Sequence, residues 1–385
     1  MKKLISLLLW LGLGLITNIN AINADHIKKL EDVSVVSKVY EIKNNGQLNP
    51  KGTASDEPKI IEKGKENALL GIVIKANVCD NKRCKDVYIS NFDNVIIKGR
   101  KIETRLINEF DELNNAVVRW YKIEPDITRA YSNEIFVGGK KTWRYDRIEY
   151  IRIEWQHLTQ ELQLPDPRWK KWARWADVNP VNFNNAESNV GTMRYQVEIK
   201  FNDEIKASSI EAKINGDIDA HRISVKGNTG NKILDWAYSF FNLPYIWGSS
   251  AEQADNYIGF DCADFVVSVF RKAGYNIPYT HSRALPRYFK IIFSSLKKEE
   301  NEDCFYYSKG YIKFSQDEEN DGVKRGDIVL WEGHTALLAE DSSKDGKPNG
   351  YFDCHDIVLH TLFYPPRKEK IKDAYYGDIK ILRLK

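Results

Sequence analysis

The chain has 385 residues, is 42% hydrophobic and 29% charged, and carries a formal net charge of +3. That length exceeds one ordinary core and suits two domains, and the composition is that of a globular chain. Charges of both signs are interspersed with no concentrated basic stripe, which argues against a nucleic-acid binder.

Lys2 and Lys3 precede an apolar run from Leu4 to Ile16, with small residues near Ala21 and Ala24. A charged start, a short apolar core and a small-residue exit describe a secretory signal peptide over 1–24. The run is short for a bilayer crossing, which needs about 20 apolar residues. The chain is therefore expected to be exported, to periplasm, cell envelope or medium, with no stable membrane insertion once the signal is removed. The competing reading is an uncleaved anchor.

Residues 25–67 are polar and rich in turn signals such as Asn44-Asn45-Gly46, and read as a flexible leader with one short strand around Val33 to Ile42. Over 68–226 the dominant period is two. Met193, Tyr195, Val197, Ile199 and Phe201 alternate with Arg194, Gln196, Glu198 and Lys200, as in a strand with one wet face. Similar runs at Leu69–Ala76, Val87–Ser90, Ala116–Ile123 and Ile148–Trp155 predict an all-β, antiparallel sandwich-like domain. In Pro167–Trp175, Trp169, Trp172 and Trp175 stand among Arg168, Lys170, Lys171 and Arg174. Two readings compete: a stacking platform for sugars, or a short turn covering the sandwich with its cations reaching water.

From 231 to 385 the texture becomes α+β. Helices are predicted over Lys232–Phe241 and Ala263–Ala273, the second started by Asp261 and stopped by Gly274. Strands follow at Asp327–Trp331, Thr335–Ala339, Ile357–Leu362 and Ile379–Leu384.

Export changes how the cysteines read. Cys79 and Cys84 can close a small loop and Cys304 and Cys354 a second bridge, although sequence alone leaves connectivity open. Cys262 would then be the odd thiol. No C-x-x-C pair and no H-E-x-x-H occurs, so no metal and no cofactor is expected. Cys262 opens a predicted helix, where free N–H groups and the dipole favour a thiolate. His334 stands at the entrance of an apolar strand, and His360 inside another. Nucleophile, base and orienter follow from those positions if the two strands are neighbours.

The order of several landmarks resembles the NlpC-type cell-wall peptidases, a family of papain-like cysteine hydrolases. Pro244-Tyr-Ile-Trp-Gly248 is similar to the family's Pro-Tyr-x-Trp-Gly loop, and Phe260-Asp-Cys-Ala-Asp-Phe265 to its Asp-Cys-Ser-Gly-Phe nucleophile motif. Ile277-Pro278 with Thr280 and Ser282 resembles its Leu-Pro-Arg-Thr-Ser stretch, and Arg325-Gly-Asp-Ile-Val-Leu330 its Pro-Gly-Asp-Leu-Val strand. The resemblance runs from about Asn231 to Lys385. It implies a papain-like domain with Cys262 as nucleophile, His334 as base and His360 as third member, with His355 as the alternative. It also implies Tyr245 beside the nucleophile, orienting substrate or serving the oxyanion, with Asp261 on the same substrate side.

Three departures stand out. Asp264 occupies a position where Gly is usual, Ser249 replaces the second Gly of the loop, and Tyr288–Gly322 is long enough for a lid or extra substrate wall. The implied function is hydrolysis of an amide in peptidoglycan stem peptides, such as the bond from D-glutamate to a diamino acid. An amidase or acyltransferase using the same site, or a non-catalytic envelope-binding protein, are the alternatives.

Overall fold

The computed structural model describes residues 25–80, 83–156, 163–182, 188–294, 296–315 and 322–385. The expected signal peptide, 1–24, lies outside the described residues. The chain is mostly strand with few helices.

The segment expected to be a flexible leader is instead a structural spine. β1 (His26–Ile42) pairs antiparallel with β2 (Glu66–Cys79) along nearly its whole length. Two register shifts, between Ile27 and Lys29 and between Leu30 and Asp32, set apolar positions three residues apart. Those bulges hide the strand's alternation while bending it around the core. In β2 the consecutive residues Ala68 to Ile74 are all buried, as in a strand covered on both faces.

Among the described residues six further strands join this pair in an eight-stranded sheet, and six others form a second sheet. The second sheet runs in the order Tyr150–Glu154, β3 (Val117–Pro125), β4 (Gly191–Phe201), β5 (His221–Lys226) and Lys59–Glu62, with Glu204–Ala207 also on β4. Lys59–Glu62 lies parallel to β5, so the pairing is not wholly antiparallel. Met193, Tyr195, Val197 and Ile199 of β4 share one core cluster with Leu30, Val33, Leu70 and Ile72 of the first sheet. The two sheets therefore face each other across common apolar packing. Trp172 and Trp175 are buried in this half, Trp175 edge-on to Tyr40, so the tryptophan stretch covers the sheets rather than presenting three rings to solvent.

Beyond residue 231, α1 (Lys232–Tyr238), α2 (Ala251–Asp255) and α3 (Cys262–Lys272) precede a sheet of β6 (Phe289–Phe293), β7 (Ile328–Trp331), β8 (His334–Glu340), β9 (Ile357–His360), β10 (Arg367–Lys370) and β11 (Lys380–Leu384). Its spatial order is β6-β11-β7-β8-β9-β10, antiparallel throughout. One face, with Ile328, Leu330, Leu337 and Leu359, packs on Phe265, Val266 and Val269 of α3. The other face, with Val329, Ala336 and Leu338, is covered by Leu296, Tyr306, Ile312 and Phe314. The described part of the expected lid is thus a roof over the far face of the sheet, tied down by the Cys304–Cys354 disulfide. A second bridge joins Cys79 to Cys84, and Cys262 is free.

The two halves interlock. Tyr131–Ser132 pairs parallel with Ile246–Trp247, and the buried Arg194 guanidinium donates to Tyr257 O at 2.8 Å. Asn133 Nδ2 donates to Gly248 O at 3.0 Å, holding the loop before α2 from the other half of the chain.

Candidate active site

α3 starts at Cys262 because Asp261 stops the preceding extended chain and caps the helix. Its Oδ1 accepts the Ala263 and Asp264 N–H groups at 3.0 Å each. A capping carboxylate satisfies otherwise orphaned donors. Asp261, expected on the substrate side, has one carboxyl oxygen engaged in this cap.

Cys262 is buried, with 6% of its surface exposed. Burial, then the nearby Asp261 carboxylate, pushes its thiol up to about 12, although the Thr335 and Ala263 N–H groups act in the opposite sense. The helix-start argument predicted a depressed value. It fails here because desolvation outweighs the few N–H dipoles. The resting group in this environment is therefore the neutral thiol.

His334 is positioned by a tight hairpin. Trp331 pairs with His334 across the two-residue turn Glu332-Gly333, and Gly333 takes φ +90°, a conformation open to glycine at little cost. His334 thereby becomes the first residue of β8. Its ring stacks on Trp331 and lies against Tyr375, with centroids 5.5 and 4.8 Å away. The neighbouring Thr335 N–H is directed at the Cys262 sulfur.

β9 runs beside β8 and brings His360 to His334, with Nε2 of His334 2.9 Å from Nδ1 of His360. On its far side, His360 Nε2 lies 2.9 Å from Glu369 Oε2. A carboxylate only accepts, so His360 Nε2 carries its hydrogen and His360 Nδ1 is left as an acceptor. His334 Nε2 must then donate, which leaves the lone pair on His334 Nδ1. That nitrogen is buried and has no hydrogen-bond partner among the described residues. Burial, then His360, pushes His334 down to about 3, so the ring is neutral and able to take a proton. Burial also lowers His360, with Glu369 acting against it. Burial pushes Glu369 up, but the His360 bond and the Arg367 guanidinium outweigh it and leave the carboxyl below its ordinary value. Tyr364 OH donates to the same Glu369 oxygen at 3.1 Å.

Tyr245 is also buried beside this site. Its hydroxyl has no partner among the described residues, and burial followed by Cys262 and Asp261 pushes it well above the ordinary phenol range. The structure therefore brings together Cys262, His334, His360 and Tyr245. His355, the alternative third member, bonds Glu302 O at 2.9 Å and is not part of this chain of rings. Glu369, Tyr364 and Arg367 escaped sequence reasoning. Their one signal is the Arg367-x-Glu369 spacing, which puts both side chains on one face of a strand.

Residues 242–343 match the NlpC/P60 family. The chain carries an NlpC/P60 domain. A stretch of 60 residues is 37% identical to the gamma-D-glutamyl-L-lysine dipeptidyl-peptidase of Bacillus subtilis (strain 168), over 16% of this chain and 19% of that protein. The alignment thus spans less than a fifth of this relative's length. No solved structure matched the chain. Cys262 and His334 fall inside the matched NlpC/P60 segment, whereas His360 and Glu369 lie beyond its end.

Two other features of the described residues do not join this site. Donor atoms of Cys304, Cys354 and His355 lie within 4.8 Å of one another, but both sulfurs are bridged and so are not thiolate ligands. A cleft of about 390 Å³ beside His221, lined by Asp32, Asp56, Lys75, Lys98 and Asp219, contains no cysteine.

Proposed function

We propose that the chain is an exported cysteine peptidase that cleaves an amide bond in peptidoglycan stem peptides, following D-glutamate and before a diamino acid. The observation that carries this reading is the open Nδ1 of His334, whose lone pair is enforced by Glu369 and His360, one residue from a backbone group on the Cys262 sulfur. The NlpC/P60 match and the name of the Bacillus relative support the substrate class. The catalytic unit is read as a papain-like core and the two N-terminal sheets as a sandwich that packs on it.

In this mechanism His334 Nδ1 takes the Cys262 proton as sulfur attacks the scissile carbonyl. The Cys262 N–H and the Tyr245 hydroxyl receive the developing oxyanion. Imidazolium then returns the proton to the departing amine, leaving a thioester. Water, deprotonated by His334, attacks the thioester, and the released thiolate recovers the proton with a free carboxylic acid as product. Thiol and imidazole both start neutral, and the imidazolium and oxyanion form together and are discharged together.

The test is digestion of purified peptidoglycan by the mature protein and by Cys262→Ala, with products weighed by mass spectrometry. Stem-peptide fragments from the native protein alone are expected. No fragments from either protein, across several wall chemistries, would sink the cell-wall assignment. Fragments lacking the sugar–peptide link would instead favour the amidase reading.

A further inference from the structure

Asp264 and Ser249 both stand where the family pattern has Gly, and the fold brings them together. The Ser249 hydroxyl accepts the Asp261 N–H at 2.9 Å and donates to Asp264 Oδ2 at 2.5 Å. The Asp261 N–H can only donate, and the serine's own hydrogen points to the Asp264 carboxyl oxygen. Ser249 belongs to the loop that carries Tyr245, and Asp264 to the first turn of the helix that begins with Cys262. One hydroxyl thus joins loop and helix. A Gly at both positions would offer neither bond.

Asp264 is 8% exposed. From its own helix it faces Asp261 and Cys262, from the loop Ser249, and from the end of α2 Asp255, which Arg271 pairs at 3.0 Å. Tyr279 completes the surroundings, bonding Ser268 at 2.8 Å and Asp255 at 3.2 Å. Among the described residues no lysine or arginine forms an ion pair with Asp264. Burial, then Asp261, pushes its carboxyl up to about 8, and its charge in turn opposes a thiolate at Cys262.

We propose that Asp264 is a positioning residue, clamping the Tyr245 loop to the nucleophile helix through Ser249, and that its ionisation sets an alkaline limit on Cys262 reactivity. This rests on Cys262 being the nucleophile, but the clamp can be read without any substrate. Cys262 is the free cysteine, so iodoacetamide labelling of the whole protein, followed by intact mass from pH 6 to 10, reports on it directly. Asp264→Asn keeps the acceptor and removes the charge. It should label like the native protein at pH 6 and about tenfold faster at pH 9, the effect of one like charge on a buried thiol. Ser249→Ala keeps the charge and removes the clamp. It should label several-fold faster at pH 6, because the loop no longer shields the thiol, while retaining the native alkaline limit.

Native-like rates for Asp264→Asn at every pH overturn the electrostatic half, and native-like rates for Ser249→Ala overturn the clamp. If labelling responds as expected and no peptidoglycan is cut, the pair stands and the peptidase assignment fails. Where hydrolysis is found, Ser249→Ala should raise KM more than it lowers kcat. Asp264→Asn should extend the kcat/KM profile to higher pH.

Discussion

His221 in the N-terminal sheets and His334 in the NlpC/P60 domain are both buried, and burial pushes them down to about 4 and about 3. His221 pairs both nitrogens, Nε2 with Ser37 Oγ at 2.9 Å and Nδ1 with Asp56 O at 3.2 Å. His334 pairs one nitrogen through His360 and leaves the other open. Burial alone therefore does not distinguish a staple from a base. What distinguishes them is an unsatisfied lone pair held in a fixed tautomer, a costly arrangement that persists where the surrounding contacts over-determine it.

The sharpest way to break this comparison is reciprocal substitution. His334→Ala and Cys262→Ala should each lower stem-peptide hydrolysis by about a thousandfold or more, the scale of losing a base or nucleophile. His221→Ala should leave kcat/KM near native and instead cost about 1–3 kcal/mol in urea unfolding, because buried Ser37 loses its partner. Loss of activity in His221→Ala without loss of stability would remove the distinction.

Acid should act on both histidines together. The unfolded chain accepts protons that the fold refuses, so their contribution is complete above the ordinary histidine range. It is lost as pH falls from about 6.5 through about 4. His221 alone should account for a drop on the order of 3 kcal/mol between neutral pH and full protonation. Comparing urea unfolding of native and His221→Gln proteins at pH 7 and pH 4 checks this, and parallel losses in both would refute it. Asp264 and Asp356, pushed up mainly by burial to about 8 and about 9, have the opposite sign. Their contribution is complete below the ordinary carboxyl range near 4 and is lost as pH rises through about 8 and about 9, so between about 4 and 6.5 it offsets the histidine slope.

The smallest effect is expected at Glu369. Glu369→Gln keeps a hydrogen bond to His360 but no longer dictates which nitrogen carries the hydrogen. Hydrolysis should fall about tenfold while stability stays within about 1 kcal/mol of native. Native kinetics for this variant would show that the His334 tautomer is set elsewhere.

The motifs around Tyr245, Cys262 and His334 were legible in the sequence. A capped helix start is encoded by neighbours, whereas the Tyr245 loop was read from its resemblance to the family motif and the hairpin before His334 only from the structure. β4 was legible as a strand from its alternation between Met193 and Phe201. The face expected to be wet is buried at Arg194 and Gln196, where Arg194 bonds Tyr257 O of the other half. β1 was legible only from Val33 to Ile42, because its bulges space Ile27, Leu30 and Val33 three apart amid Lys28, Lys29, Glu31 and Asp32. Arg367-Lys-Glu-Lys370 reads as a solvated charge run. Only the register of β9 on β10, with His360 opposite Arg367, brings Glu369 to a histidine nine positions earlier.

By itself the sequence determined which residues could react. Tertiary structure decided in what state they wait, since desolvation is a property of the whole fold. It reversed the expected thiolate at Cys262, set Glu369 behind His360 and paired Ser249 with Asp264. Proton affinity in a dry interior depends on groups distant along the chain, and no local pattern records where they will meet.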